Sequence, residues 1–157
     1  MKLFLKLFLA AFLVVFIVLA IWGYNQFYLP TSTEMDNYFL EHQETFKQKN
    51  DSILTALQLQ RPITLVADSE IGCKWVGIEP ELDVYQAGEP LIVRYYTHLR
   101  GIGVGAFGTG IAYIDPVVER KLYPTLEAMT DDAKEVEGFI GYSKISNNWY
   151  SFFWEAD

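Results

Sequence analysis

Few residues of this chain have the types and the spacing that enzymatic chemistry requires. The string GVGAFG at residues 103–108 satisfies the G-x-G-x-x-G pattern of dinucleotide-binding proteins. In those proteins the glycines lead from a strand into a helix that binds the pyrophosphate, whereas residues 111–115 are expected to continue as extended chain toward Pro116. We therefore interpret the glycines as points of close backbone approach within a sheet, and we predict no cofactor.

Nucleophilic and metal-assisted catalysis have equally little support. The chain has two histidines, His42 and His98, and no serine lies in the G-x-S-x-G pattern of hydrolases. His42 falls on the apolar side of a predicted helix, where a packing role is expected, and a hydrolase that uses His98 is the weakest hypothesis. The acids between residues 131 and 137 lack the glycine and the spacing of an EF-hand loop. We predict neither an enzyme nor a metal site.

The charge balance favours a basic protein as the partner. The chain has twenty Asp and Glu residues against twelve Lys and Arg residues, and its formal net charge is −8. Lys2 and Lys6 lie at the extreme N-terminus, so the remainder of the chain is still more acidic. Such a surface repels phosphate backbones, which excludes nucleic-acid binding, and it attracts basic proteins.

Cys73 is the only cysteine. An intrachain disulfide and a cysteine-based zinc cluster are therefore both excluded. A lone cysteine in a chain of this apolar content is expected to be a small buried hydrophobic residue rather than a reactive thiol.

An uncharged apolar run occupies the N-terminal region. Residues 7–22 read LFLAAFLVVFIVLAIW, and mostly apolar or aromatic residues extend the run to Leu29. About 20 such residues span a bilayer. Lys2 and Lys6 precede the run, so the positive-inside rule predicts that the N-terminus stays in the cytoplasm and that the rest of the chain lies outside it.

Two domains follow from this run. Residues 1–30 are predicted to be a cytoplasmic start and a transmembrane anchor, and residues 31–157 an extracytoplasmic α+β domain. A cleavable signal peptide is the alternative for the first segment, because Val18 and Ala20 are small residues that fit a cut site. Both alternatives deliver the second domain to the same compartment.

The first half of the second domain is predicted to be mainly helical. Thr31 and Glu34 fit a capping box, and apolar residues then recur at helical spacing, which predicts an amphipathic helix over residues 33–58. The β-branched residues 63–67 predict a short strand. Residues 68–90, rich in glycine, proline and acids, are expected to form a loop.

The middle of the domain is harder to assign. The segment LIVRYYTHLR at residues 91–100 has no decisive periodicity. Pro90 before it and Gly101 after it favour a helix, with a strand as the open alternative. Residues 103–113 alternate small and apolar side chains and predict a glycine-rich strand or hairpin.

The C-terminal part is predicted to end in a β-hairpin. Residues 117–126 are expected to be a short helix or an irregular segment, and residues 130–137 an acidic loop. Residues 138–142 and 149–155 are predicted to pair around a turn at residues 146–148. Both faces of the last strand are largely apolar, which predicts a central strand or a strand covered on both sides. The predicted fold is α+β: a transmembrane helix, then a long amphipathic helix packed on a small antiparallel sheet.

The C-terminal pattern carries a resemblance. Residues 110–113 read GIAY, Pro116 and Leu126 follow, and residues 141–150 read GYSKISNNWY. In this pattern the chain resembles a group of small bacterial envelope proteins of uncharacterised function that end in a similar G-Y-x-x-I-x-x-N-W-Y stretch. The resemblance implies a bacterial origin and the terminal hairpin. The predicted localisation is then the bacterial inner membrane, with a single span and the C-terminal domain in the periplasm.

Size, charge and aromatic content together favour a non-enzymatic, membrane-anchored periplasmic binding protein. The most concrete form of this hypothesis is an immunity protein that neutralises a secreted toxin, and the alternative is a structural or accessory subunit of a bacterial envelope complex. Tryptophan and tyrosine anchors beside acidic side chains suit a basic protein partner. The expected binding residues are Trp75, Tyr142, Trp149, Tyr150, Asp131, Asp132 and Glu135.

Overall fold

The computed structural model describes residues 2–59, 61, 63, 68–79, 90–100, 106–115, 121–134, 136 and 138–156. Within this part of the chain the protein is α+β, with three helices and one six-stranded sheet. The helices are α1 (Lys2–Phe27), α2 (Ser32–Gln58) and α3 (Leu126–Ala133). The strands are β1 (Trp75–Glu79), β2 (Leu91–Arg100), β3 (Phe107–Asp115), β4 (Leu122–Tyr123), β5 (Ile140–Ser146) and β6 (Trp149–Glu155).

Helix α1 corrects the membrane prediction. None of the helices in the described residues combines the length and the apolarity that crossing a bilayer requires. The predicted transmembrane helix and signal anchor are therefore wrong, and so is the predicted localisation as a single-pass inner-membrane protein.

Helix α2 begins where its sequence predicts. The Thr31 hydroxyl accepts a hydrogen bond from the Glu34 backbone N–H at 3.3 Å, and the Glu34 carboxylate accepts one from the Thr31 backbone N–H at 2.7 Å. This reciprocal pair is the predicted capping box, and it satisfies two N–H groups that have no partner within the helix. The predicted range of residues 33–58 is confirmed to within one residue.

The sheet is mixed, which corrects the prediction of a purely antiparallel sheet. The strand order is β1-β2-β3-β6-β5-β4, and every neighbouring pair is antiparallel except β4 and β5. Parallel neighbours need a connection that crosses back along the sheet, and helix α3 lies in that connection. The same helix corrects the predicted acidic loop, because residues 130–133 form its last turn.

Strand β2 replaces the helix predicted for residues 91–100. It pairs with β1 on one side and with β3 on the other, so its backbone groups are satisfied by the sheet. Residues 91–97 are all buried, which means that both faces of the strand are covered. A strand buried on both faces lacks the alternation of apolar and polar residues, and the strand alternative is the one that occurs.

The two faces of the sheet carry two apolar clusters. On the helix-covered face, rings of α2 pack on rings of the sheet: Phe46 lies 5.3 Å from Tyr95 and Phe39 lies 5.2 Å from Trp149, between ring centroids. The opposite face, called the second face, has its own cluster, which among the described residues includes no helical side chain. Its buried members are Ile92, Tyr96, Ala112, Ile114, Tyr142, Tyr150 and Phe152.

The predicted terminal hairpin is confirmed. Strands β5 and β6 pair around a turn at Asn147 and Asn148, and Asn147 takes the left-handed conformation, with φ at +32°, that such tight turns require. Strand β6 lies between β3 and β5, as its two apolar faces predict. Residues 64–67 of the strand predicted for residues 63–67 lie outside the described residues. The same holds for residues 103–105 and 117–120, which belong to other predicted elements.

Candidate functional site

The aromatic residues predicted to bind a partner do not form a common surface. Trp75 on edge strand β1 is 52% exposed. Tyr142, Trp149 and Tyr150 are buried, each at 6% exposure or less. Trp149 packs under α2, whereas Tyr142 and Tyr150 belong to the second face. These three side chains therefore act in packing, and only Trp75 can present a ring to another molecule.

The predicted acidic residues lie on α3 and are paired with lysines. The Lys134 ammonium lies 2.9 Å from the Asp131 carboxylate, and the Lys121 ammonium lies 2.7 Å from that of Asp132. The hydrogen bond from Lys121 lowers the pKa of Asp132. Both acids are exposed, so these are surface pairs of small energy. Glu135, the third predicted acid, lies outside the described residues.

The two histidines and the cysteine pack inside the fold and are not gathered into a catalytic or metal-binding group among the described residues. The Nδ1 atom of His42 lies 3.0 Å from the Tyr38 carbonyl oxygen, as expected for a packing histidine. The Nδ1 atom of His98 lies 3.0 Å from the hydroxyl of Thr97, which is buried. Cys73 is buried, as predicted, and burial raises the pKa of its thiol. The described residues contain no group of three side chains that could hold a metal ion.

His98 makes stability depend on pH. Burial, followed by the charges of Lys74 and Arg100, lowers the pKa of this imidazole below its ordinary 6.5, although Glu34 opposes the shift. The unfolded chain therefore binds the proton more readily than the folded protein does. The contribution of His98 is complete above its ordinary pKa and is lost as the pH falls through that value toward the lower folded pKa.

A comparison with a His98→Gln variant tests this effect. Between about pH 7.5 and about pH 5.5, the free energy of unfolding of the unmodified protein is expected to decrease by more than that of the variant. Urea unfolding at the two pH values measures both decreases, and the carboxylates common to the two proteins cancel in the difference. Equal decreases would contradict the assignment to His98.

The exposed side of α2 carries an apolar residue among acids. Asp36, Leu40 and Glu44 are spaced by four residues and so share one side of the helix, and Glu41 is next to them. Leu40 is 61% exposed. Burial and the carboxylate of Glu127 on α3 together raise the pKa of Asp36. We call the set Asp36, Leu40, Glu41 and Glu44 the acidic face.

A polar cavity of about 540 Å³ lies between α2 and the β5–β6 turn. Gln43 and Lys47 line it from α2, and Tyr113 lines it from β3. Lys144 and residues 146–149 line it from the hairpin. Two ammonium groups, three carboxamides and two hydroxyls therefore meet in one concave region, called here the turn cavity.

Hydrogen bonds fix one wall of the turn cavity. The Ile114 backbone N–H donates to the Asn148 carbonyl oxygen at 2.9 Å, and the Asn148 amide donates to the Asp115 carboxylate at 3.4 Å. Burial raises the pKa of the Tyr113 phenol, so its hydroxyl keeps its proton at neutral pH. The wall thus presents neutral polar groups held by the strands beneath them.

Sequence reasoning missed the turn cavity although one signal was present. Gln43 and Lys47 are about a hundred residues from the hairpin in the chain, and only the packing of α2 on the sheet brings them to it. The signal is the stretch GYSKISNNWY, which supplies Lys144 and residues 146–149. Among the predicted binding residues, Trp149 alone lines the cavity.

The structure thus offers two candidate sites, the acidic face and the turn cavity. The acidic face lies on the solvent side of α2, and the turn cavity lies where the same helix meets the terminal hairpin. No family model, no curated protein and no solved structure matches this chain.

Proposed function

We propose that this protein is a non-enzymatic binding protein that captures a basic protein through the acidic face of α2. In its most concrete form it is an immunity protein that neutralises a secreted toxin. The observation that carries the proposal is the exposed Leu40, which lies at four-residue spacing between Asp36 and Glu44 and next to Glu41 in the chain. The resemblance to small bacterial envelope proteins supports a bacterial setting.

The arrangement matches the anatomy of protein interfaces. An apolar side chain at the centre supplies affinity when water is excluded from it, and charges around it steer the partner and set its orientation. The charged residues of the acidic face are all negative, and the Lys47 ammonium lies 3.1 Å from the Glu44 carboxylate. A partner with an apolar recess bordered by lysines and arginines would complement this surface. The net charge of −8 adds long-range attraction for such a partner.

A complementation experiment tests the proposal. Cells that lack the gene are challenged with sibling cells that secrete the toxin, and the full chain is then supplied from a plasmid. The unmodified chain is expected to restore survival, and Leu40→Arg is expected to fail. The substituted arginine places a positive charge at the centre of the contact, which costs about 2 kcal/mol or about 30-fold in Kd.

Leu59→Arg is the matched control. Leu59 is also an exposed leucine of the α2 region, at the C-terminal cap, and it lies away from the acidic face. This variant is expected to restore survival fully. The proposal fails if cells without the gene survive the challenge as well as the parent strain. It fails equally if the two arginine variants restore survival to the same extent.

The accessory-subunit function is the second candidate, and helix α1 favours it. The described large apolar side chains of α1, between Phe8 and Ile21, are exposed, from 46% for Ile17 to 63% for Phe12. An apolar surface of this extent marks an interaction site, which in an assembly would be covered by another subunit. A Phe12→Ser/Phe16→Ser variant separates the two candidates, because an immunity protein would still protect the cell and an assembly subunit would not.

A further inference from the structure

We propose that the turn cavity binds a small polyhydroxylated anion, of the size of a uronic acid or a sugar phosphate. The juxtaposition that carries the proposal is that of Lys47 on α2 with Lys144 and Asn147 on the hairpin, around one polar cavity. The proposal does not rest on the function proposed for the acidic face. It would give the protein a second ligand, bound where α2 meets the terminal hairpin.

The charge of the cavity differs from that of the chain. Acids outnumber bases in the sequence by twenty to twelve, yet the described lining residues include two lysines and no carboxylate. Lys144 is exposed and forms no ion pair with another described residue. Within the described part of the chain Lys47 pairs with the exposed Glu44 alone, and such surface pairs are weak enough to be exchanged for a ligand. The cavity is therefore a local attractor for anions.

The neutral lining groups match hydroxyls. A carboxamide offers both donors and an acceptor, and a hydroxyl can act as either, so Gln43, Ser146, Asn147 and Asn148 can bond to a sugar hydroxyl in whichever direction it needs. A simple inorganic anion would use only the donors and leave the acceptors to water. A ligand that combines hydroxyls with one charged group uses both.

The cavity has a suitable size and a fixed wall. Its volume of about 540 Å³ falls within the range of small-molecule sites, roughly 300–1,000 Å³. The tight turn at Asn147 and the hydrogen bonds that hold Asn148 fix the backbone of one wall before a ligand arrives. A wall that is already ordered loses little conformational freedom on binding, and this favours affinity for a small ligand.

Calorimetric titration of the full chain tests the proposal with a matched set of compounds. Glucuronate and the phosphate monoester of glucose are the expected ligands, and the one that binds more tightly identifies the charged group. Glucose, acetate and inorganic phosphate are each expected to bind at least about tenfold more weakly, because each lacks either the charge or the hydroxyls. Anion binding is also expected to weaken at high salt.

Substitutions at one lysine locate the site. Lys144→Gln is expected to weaken binding of the better anion about tenfold, the loss of one charge-assisted hydrogen bond, while Lys144→Arg keeps most of the affinity. Lys134→Gln, at the C-terminal cap of α3, is the control, because it removes an exposed lysine away from the cavity and should change nothing. The proposal is overturned if neither sugar anion binds, if glucose or inorganic phosphate binds equally well, or if Lys144→Gln and Lys134→Gln have the same effect.

Discussion

Replacing Phe46 by alanine is expected to lower the free energy of unfolding by about 3–5 kcal/mol. Phe46 is fully buried at the centre of the contact between α2 and the sheet. Its ring lies 5.3 Å from that of Tyr95 and 6.0 Å from that of Trp149, between centroids. Alanine would leave a cavity in place of the Phe46 ring. The large rigid rings around this cavity cannot move in to fill it. Urea unfolding followed by circular dichroism measures the change.

Leu40→Ala on the same helix is the control for this substitution. Leu40 is exposed, so its loss is expected to change the free energy of unfolding by at most about 0.5 kcal/mol. The same variant should weaken capture of the basic partner, which separates a binding defect from a folding defect. A Phe46→Ala protein as stable as the Leu40→Ala protein would contradict the assignment of Phe46 to the core.

Local signals in the sequence predicted the parts of the fold that local interactions determine. The capping box of Thr31 and Glu34 involves neighbouring residues alone, and the helix starts there. The hairpin turn at Asn147 and Asn148 needs residues that tolerate a left-handed backbone. Asparagine is such a residue, so the two asparagines predict the turn. Helix α3 was missed because its acids were interpreted as a loop, although Thr125 caps it.

The strands that the sequence does not predict are those whose structure depends on pairing with neighbouring strands. The ten residues of β2 have caps that suit a helix, and no periodicity contradicts a helix. The strand forms because β1 and β3, the strands before and after it in the chain, satisfy its backbone on both sides. The two-residue strand β4 is too short to leave any pattern.

The candidate sites show the same division. The apolar pattern that correctly predicted a central β6 also implies that Trp149 and Tyr150 are buried, so their interpretation as surface anchors conflicted with the fold prediction itself. The acidic face was within reach of sequence reasoning, because the four-residue spacing around Leu40 is visible in the chain. For the turn cavity the stretch GYSKISNNWY indicates only one wall, because the two lysines belong to elements that meet only in the folded protein.

Replacing Gly110 by alanine is expected to destabilise the protein by about 3 kcal/mol or more, at or beyond the upper end of overpacking effects. Gly110 lies in β3 opposite Tyr96, beside an irregularity where the pairing register of β2 shifts between Tyr96 and His98. A Cβ atom at Gly110 would overlap the Tyr95 carbonyl oxygen and lie 3.1 Å from the Thr97 nitrogen. Both contacts are with backbone, so no side-chain rotation can relieve them.

Gly77→Ala is the matched test of this explanation. Gly77 is also a strand glycine, but the nearest atom to its added Cβ would be a ring carbon of Tyr96 at 3.4 Å, an ordinary contact. This variant is expected to stay within about 0.5 kcal/mol of the unmodified protein in urea unfolding. If Gly110→Ala were equally well tolerated, β2 could not approach β3 as closely as described. The β2–β3 pairing, which joins β1 to the rest of the sheet, would then need a different register.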